Sequence, residues 1–343
     1  MTEFCSYMEQ EVREAPEAVM RQAPALFHPL RELVARLKSR PPDLVMTCAR
    51  GSSAHAATFG KHLIERYLGI PVAAAAPNIT SVYGRPLRLR NQLFLVASQS
   101  GMSDDIVEAT KAAKQSGALT VAIVNADDSP LAMISDIVLP IGAGLERSVA
   151  ATKTFIATLT VLLRLTAAWN DDGGLRDAID RLPGRLRAAL DFDWSRILEL
   201  PDGARSLVTI GRGPTLAIAR EAALKLKENC NLHAEAFSGA EFLHGPVALV
   251  STDYPILIFM PTDAAADGLQ QLVTTLRHKG AAVCMTVAGE PAAGQLAALP
   301  GDHPETDAVC LMQTFYMMAQ GLAVRLGTDV DRPRHLRKVT RTR

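Results

Sequence analysis

The chain contains one pattern twice. D-L-V-M-T-C-A-R-G-S-S around Arg50-Gly51 returns as S-L-V-T-I-G-R-G-P-T around Arg212-Gly213. L-F-L-V-A-S-Q-S-G-M-S, a helical stretch and S-G-A-L-T-V-A-I-V return as I-L-I-F-M-P-T-D-A-A-A, a helical stretch and K-G-A-A-V-C-M-T-V. The offset between Arg50 and Arg212 is kept, within one residue, between Gly117 and Gly280, so it persists across a whole supersecondary unit. Self-similarity of that extent marks a duplicated domain. Each copy alternates short apolar, β-branched runs with longer helical stretches, which predicts βαβ units and a parallel sheet covered by helices on both faces. The fold class expected is therefore α/β: two tandem, doubly wound, parallel-sheet domains, each an αβα sandwich of Rossmann-like or flavodoxin-like type.

The segmentation follows from the same pattern. Residues 1–40 form a lead whose stretch from Met8 to Lys38 reads as helical, ahead of a first strand at Leu44 to Cys48. The first domain is placed at 41–190, the second at 191–325, and a tail at 326–343. N-D-D-G-G at Asn170 to Gly174 marks a break, and the stretch L-R-D-A-I-D-R-L-P-G-R-L-R-A-A-L reads as a helical connector interrupted at Pro183.

Bulk properties narrow the partners. A chain of 343 residues, 48% of them hydrophobic, can bury a large core, and 36 basic against 36 acidic residues give no global field for nucleic acid. Small molecules and further copies of the chain are the expected partners. The cysteines, Cys5, Cys48, Cys230, Cys284 and Cys310, are scattered and form no C-x-x-C pair, which fits a reducing cytoplasm. The start, M-T-E-F-C-S-Y-M-E-Q, lacks an apolar signal region, and T-F-I-A-T-L-T-V-L-L meets Arg164 before reaching spanning length. A soluble protein that is neither exported nor membrane-bound is expected.

Ser98 to Ser103, S-Q-S-G-M-S, stands directly behind an apolar strand and ahead of a helix. Ligands of open α/β sheets lie at the carboxyl ends of strands, where helix N-termini present N–H groups. Small hydroxyl residues and Gly101 suit a backbone nest for an anion, with Ser103 as N-cap; an ordinary serine-rich cap has the same look. The second copy reads P-T-D-A-A-A-D at this point, acidic and poor in hydroxyls. One phosphate pocket is therefore expected, in the first half, lined also by Ala49 to Ser53. Gly211 to Ala217, G-R-G-P-T-L-A, imitates a dinucleotide fingerprint but has Leu216 where the third glycine belongs, and N-L-H-A-E-A-F offers no clear second strand ending in an acid. NAD is not expected.

Glu221, Lys225 and Glu228 fall at i, i+4 and i+7, one stripe of a helix. Such spacing commonly means a solvated face with ion pairs. The stretch that follows, N-L-H-A-E-A-F-S-G-A-E-F-L-H-G-P, holds His233, His244, Glu235 and Glu241. It is too irregular for a plain helix and too rich in titratable groups for a plain loop.

Taken together, S-Q-S-G-x-S, E-R-S-V-A-A-T-K-T-F at Glu146 to Phe155, E-A-A-L-K-L-K-E, H-A-E-A-F, E-F-L-H-G-P-V-A-L and the tail G-T-D-V-D-R-P-R-H-L-R-K-V-T resemble the sugar isomerase (SIS) family, in the right order over nearly the whole chain. The resemblance is closest to the isomerase module of glucosamine-6-phosphate synthase and its stand-alone relatives. It implies that Ser53, Ser98, Gln99, Ser100 and Ser103 bind the phosphate, and that Gly51, Ser52, Glu146 and Val149 contact the sugar. It further implies that Glu228 is the base moving a proton between C1 and C2, with Glu221 and Lys225 as its neighbours. His244 would open the sugar ring, reaching the site from a partner subunit of a homodimer, and Lys338 would close over the sugar. No cofactor and no metal are implied. The chain departs from the family pattern at Arg50, where a small residue or cysteine is usual, at Ala151, where serine is usual, and in a tail one residue shorter around the lysine.

No amidotransferase domain with its N-terminal cysteine nucleophile precedes the duplicated domains, Cys5 lying in a short helical lead, so the expected reaction runs in reverse: glucosamine 6-phosphate to fructose 6-phosphate and ammonia. A phosphosugar aldose–ketose isomerase and a fructosamine-6-phosphate deglycase are the alternative enzymes. A non-catalytic phosphosugar sensor is the alternative of another class, opposed by the absence of a helix-turn-helix domain and the presence of Glu228, His244 and Lys338.

Overall fold

The computed structural model describes residues 6–195 and 206–338; Cys5 and the tail after Lys338 lie outside the described residues. The first sheet is built from β1 (Val45–Cys48), β2 (Val72–Ala74), β3 (Leu93–Ser98), β4 (Leu119–Val124) and β5 (Ile137–Pro140), all parallel, in the order β2-β1-β3-β4-β5. The second, from β6 (Ser206–Gly211), β7 (His233–Ser238), β8 (Pro255–Ile258), β9 (Ala282–Ala288) and β10 (Gln295–Ala298), runs β7-β6-β8-β9-β10, again all parallel. The two orders are the same permutation, the 2-1-3-4-5 winding of flavodoxin-like sheets. The duplication read in the sequence is thus a duplication of topology.

Helices α1 (Tyr7–Arg13), α2 (Ala15–Ser39), α3 (Gly51–Leu68), α4 (Asn78–Ser81), α5 (Asp104–Gln115), α6 (Pro130–Ile134), α7 (Lys153–Trp169) and α8 (Gly173–Ala189) accompany the first sheet in the chain; α9 (Thr215–Cys230), α10 (Gly239–Phe242), α11 (Ala266–His278) and α12 (Pro304–Arg325) accompany the second. Strands covered on both faces have no solvent side to alternate with, which is why they read as unbroken apolar runs. Phe94, Val96, Ala122 and Val124 pack with Ile106 and Leu131 in one core, and Val208, Ile210, Ile256 and Ile258 pack with Leu269 and Leu276 in the other.

Two compact units share the chain without being contiguous. One holds residues 17–146, 153–180 and 337–343; the other holds 1–16, 147–152 and 181–336. The lead and the tail, set apart in the sequence reading, are each divided between them, and the chain passes from one unit to the other inside α8. Pro183 does not interrupt that helix: Leu175, Ile179, Leu182 and Leu186 form a continuous buried stripe, and apolar burial outweighs the one backbone hydrogen bond a proline removes. The lead helix does break, at Glu14, into α1 and α2. A second strand after the glycine-rich turn, unclear in the sequence, is present as β7, and it pairs with β6 from Ser206↔His233 to Gly211↔Ser238.

Candidate active site

The chain order of the first sheet reverses between β1 and β3, which pair in register Cys48↔Val96. That switch point opens a crevice at the carboxyl ends of both strands. Gly51, Ser52 and Ser53 form the first turn of α3 after β1, and Ser98 to Ser103 follow β3, so the structure brings the two expected phosphate segments to one end of one sheet. Gly51 is exposed with φ +52°, and the two serines are half-buried.

The serine loop is self-braced. Ser98 is buried, and its Oγ accepts the Gly101 N–H at 3.1 Å; Ser100 Oγ accepts the Met102 N–H at 3.3 Å. Gly101 has φ +64°, and a Cβ there would stand 2.2 Å from Ser129 Oγ, so no other residue fits this turn. Ser103 occupies the N-cap position of α5, as expected, but its hydroxyl makes no capping hydrogen bond. Asp104 and Asp105 in the first turn of α5 put negative charge beside the loop. Arg50, where the family pattern has a small residue or cysteine, meets the buried Asp105 with Nη2 to Oδ2 at 2.6 Å. This cation offsets an anion that would oppose a phosphate. Burial pushes the neighbouring Cys48 thiol up to about 12, Asp105 adding to the effect and Arg50 opposing it, which makes Cys48 inert.

Glu146 is buried at the start of α7, where Oε1 accepts the Thr154 N–H at 3.1 Å and Oε2 accepts the Thr154 hydroxyl at 2.7 Å. Lys338 Nζ reaches the same Oε2 at 3.0 Å, so the structure joins two of the expected site residues. Val149 lies in the other unit, and its N–H donates to the Asp331 carbonyl at 3.0 Å. The loop around it is held by a residue the sequence reading missed. Glu11 of α1 is buried and accepts hydrogen bonds from the Arg147 N–H, the Ser148 N–H and the Ser148 hydroxyl. Its signal was present: Met8, Val12 and Ala15 form the buried stripe of the lead, and Glu11 sits on that stripe instead of opposite it. Asp331 in turn caps α1, accepting the Tyr7 and Met8 N–H groups at 3.0 and 2.8 Å.

Glu221, Lys225 and Glu228 are one connected group on α9, and they are no solvated face. Lys225 and Glu221 have no exposed side-chain surface, while 21% of Glu228 remains accessible. Lys225 Nζ stands 3.3 Å from Glu221 Oε1 and also bonds Glu228 Oε2. Burial opposes the ammonium, but the two carboxylates outweigh it and hold Lys225 above the ordinary lysine range. Glu228 opens on a polar cleft of about 340 Å³, lined also by Asn231, Thr328, Asp329, Arg332 and Arg334. The arrangement supplies an accessible carboxylate whose charge is balanced from its buried side, the requirement for a general base. A second cavity, of about 240 Å³ at the ends of β8, β9 and β10, contains none of the expected residues, and its Arg185 is paired with Asp307 at 2.9 Å.

His244 sits on the turn after α10, exposed, with its N–H on the Glu241 carbonyl at 3.0 Å. Its imidazole makes no hydrogen bond or ion pair with a described residue. Among the described residues no helix is long and apolar enough to cross a membrane.

Comparison with known proteins agrees with the duplicated α/β fold. The SIS domain model matches twice, at residues 42–168 and 203–325. Glutamine–fructose-6-phosphate aminotransferase (isomerizing) of Caulobacter vibrioides is 30% identical over 97% of this chain, and the chain spans 58% of that relative's length. The crystal structure of a proposed phosphosugar isomerase from Silicibacter pomeroyi is 42% identical with a TM-score of 0.89, covering 95% of this chain and 100% of that one. The C-terminal domain of glucosamine-fructose-6-phosphate aminotransferase from Francisella tularensis is 26% identical with a TM-score of 0.85, covering 96% and 99%.

Proposed function

The chain belongs to the SIS domain family, and we propose that it is an enzyme of hexose 6-phosphates that deaminates glucosamine 6-phosphate to fructose 6-phosphate and ammonia. The observation that carries the reading is the accessible Glu228 carboxylate, backed by a fully buried lysine and opening on a polar cleft. In the open-chain aldose, Glu228 takes the proton from C2 and returns it to C1 while one proton leaves the 2-amino nitrogen and one arrives on O1, so the 2-amino aldehyde becomes a 1-hydroxy 2-imine. Water adds to C2 and ammonia leaves, so the substrate and one water give the ketose and one ammonia. The carbon acid is weak, and the base acts on a substrate held elsewhere by its phosphate: Ser53, Ser98, Gln99, Ser100 and Ser103 supply that hold, and binding energy from the remote group orients the reacting carbons. Glu146 and Lys338 serve the sugar end, Gly51, Ser52 and Val149 contact it through backbone and hydroxyl groups, and the exposed His244 opens the ring in the site of a second copy. The names of two relatives, which pair fructose 6-phosphate with amino transfer, support the amino-sugar substrate.

The test is to incubate the purified protein with glucosamine 6-phosphate and assay ammonia and fructose 6-phosphate separately. Equal amounts of both are expected. Turnover of a hexose 6-phosphate without ammonia would reassign the chain to aldose–ketose isomerisation, turnover of a fructosamine 6-phosphate alone would reassign it to deglycation, and no turnover of any of the three would overturn the enzymatic reading.

A further inference from the structure

We propose that Tyr316 is a positioning residue for the base: by donating its hydroxyl to Glu221 it leaves the Lys225 ammonium to Glu228. The assignment rests on the functional reading above where it concerns turnover, and on geometry alone where it concerns ionisation. Tyr316 lies on α12, which packs against α9, and has no exposed surface. Its hydroxyl meets Glu221 Oε1 at 3.2 Å, the same oxygen that Lys225 Nζ approaches at 3.3 Å. One carboxylate oxygen thus has two donors, while one ammonium serves two carboxylates.

The balance among these groups decides how the base behaves. In a buried site each charge is met by few partners, and the share of the ammonium that Glu221 draws depends on what else satisfies it. A phenol hydroxyl satisfies Glu221 Oε1 without adding charge, so Lys225 remains close to Glu228 Oε2. The position explains the residue type as well: Met312, Phe315 and Ala319 around Tyr316 are buried and apolar, and a buried phenol needs a partner for its hydroxyl. Among the described residues, the charged groups that pair with Glu228 or line its cleft are Lys225 from its own helix and Asp329, Arg332 and Arg334 from the segment after α12; the phenol acts on the first of these.

Removing the hydroxyl lets Glu221 pull the ammonium toward itself, and Glu228 loses support for its charged form. Removing the competing charge does the opposite. The experiment follows the Glu228 carboxyl through pH by selective 13C labelling, assigned with Glu228→Gln, in the wild type, Tyr316→Phe and Glu221→Gln, alongside pH–rate profiles with glucosamine 6-phosphate. Tyr316→Phe should move the carboxyl titration and the acid limb of kcat upward by about half to one pH unit, a factor of about 3–10 in rate below the limb. KM should stay within about twofold, since the phosphate ligands are untouched. Glu221→Gln should move both downward, and Tyr316→Phe added to it should shift nothing further. A Tyr316→Phe profile that superimposes on the wild type, or a loss confined to KM, would overturn the assignment. If the tyrosine variant does not fold, an upward or absent shift in Glu221→Gln overturns it equally. Carboxyl shifts of the expected signs in a wild type that turns over no hexose phosphate would sustain the positioning role and overturn the functional reading instead.

Discussion

Lys225 is the residue on which the chemistry and the stability of α9 meet. Its ammonium has no exposed surface and is flanked by Glu221 and Glu228, so Lys225→Met would leave two carboxylates facing each other with one of them sealed from water. Removing one member of such a buried group costs about 3–5 kcal/mol, which urea denaturation of the variant at neutral pH should register. The pH dependence has a definite sign. Lys225 titrates higher in the folded state than its unfolded value of about 10.4, so its contribution is complete below that pH and is lost as pH rises above it toward the folded value. Stability measured between pH 9 and 11.5 should therefore fall on the alkaline side more steeply in the wild type than in Lys225→Met. Glu228→Gln separates base from binding: the amide keeps size and hydrogen bonding but cannot take a proton. Turnover of glucosamine 6-phosphate should fall by about 10²–10⁴, with calorimetric affinity for the sugar phosphate changed less than about threefold.

Among the elements, the loop from Ser98 to Ser103 is set by its glycine more than by its serines. Gly101→Ala would need a positive φ from a residue with a Cβ and would drive that Cβ into Ser129, whose own hydroxyl caps α6 by accepting the Ala132 N–H at 3.3 Å. The turn must then shift as a whole, so affinity for glucosamine 6-phosphate should drop at least about tenfold; unchanged affinity by calorimetry would show that the loop does not hold the phosphate. Its position and composition were legible in the sequence because turn chemistry is local: strand, small hydroxyls, glycine, helix. Long-range pairings were not legible. Nothing near Arg50 in the chain announces that its guanidinium neutralises Asp105, and the stripe of Glu221, Lys225 and Glu228 looked the same whether solvated or buried until α12 was seen to cover it. β7 escaped for another reason: as an edge strand with an exposed His233 and Glu235 it is polar enough to pass for a loop, and only the alternating Ala234 and Ala236 mark its inner face.

For the whole molecule, the repeat predicted the two parallel sheets, and their common strand order fits a duplication that copies topology, but the repeat could not predict an interleaved partition. A segment's unit is decided by where its side chains are buried. α1 belongs with the second sheet because Met8 and Val12 are fully buried, Gln313 of α12 donates to the Val12 carbonyl at 2.8 Å, and Asp331 caps its first turn. Residues 147–152 belong there because Glu11 and Asp331 hold them. A fragment comprising residues 181–343 would carry the second sheet complete and yet lack these two segments. Burial of Met8 and Val12 contributes about 1.5–3 kcal/mol each, and the groups left bare on α12 and around Asp331 add their own cost. Against the lower half of the typical domain stability range of about 5–15 kcal/mol, that loss leaves little or none. The fragment should show strand and helix by circular dichroism without a cooperative melt, and a peptide of residues 6–16 at millimolar concentration should restore part of the transition. A melt of the bare fragment as sharp as that of the full chain, at a temperature within a few degrees, would show that the second sheet folds on its own core and that α1 is an accessory to the site rather than a part of the fold.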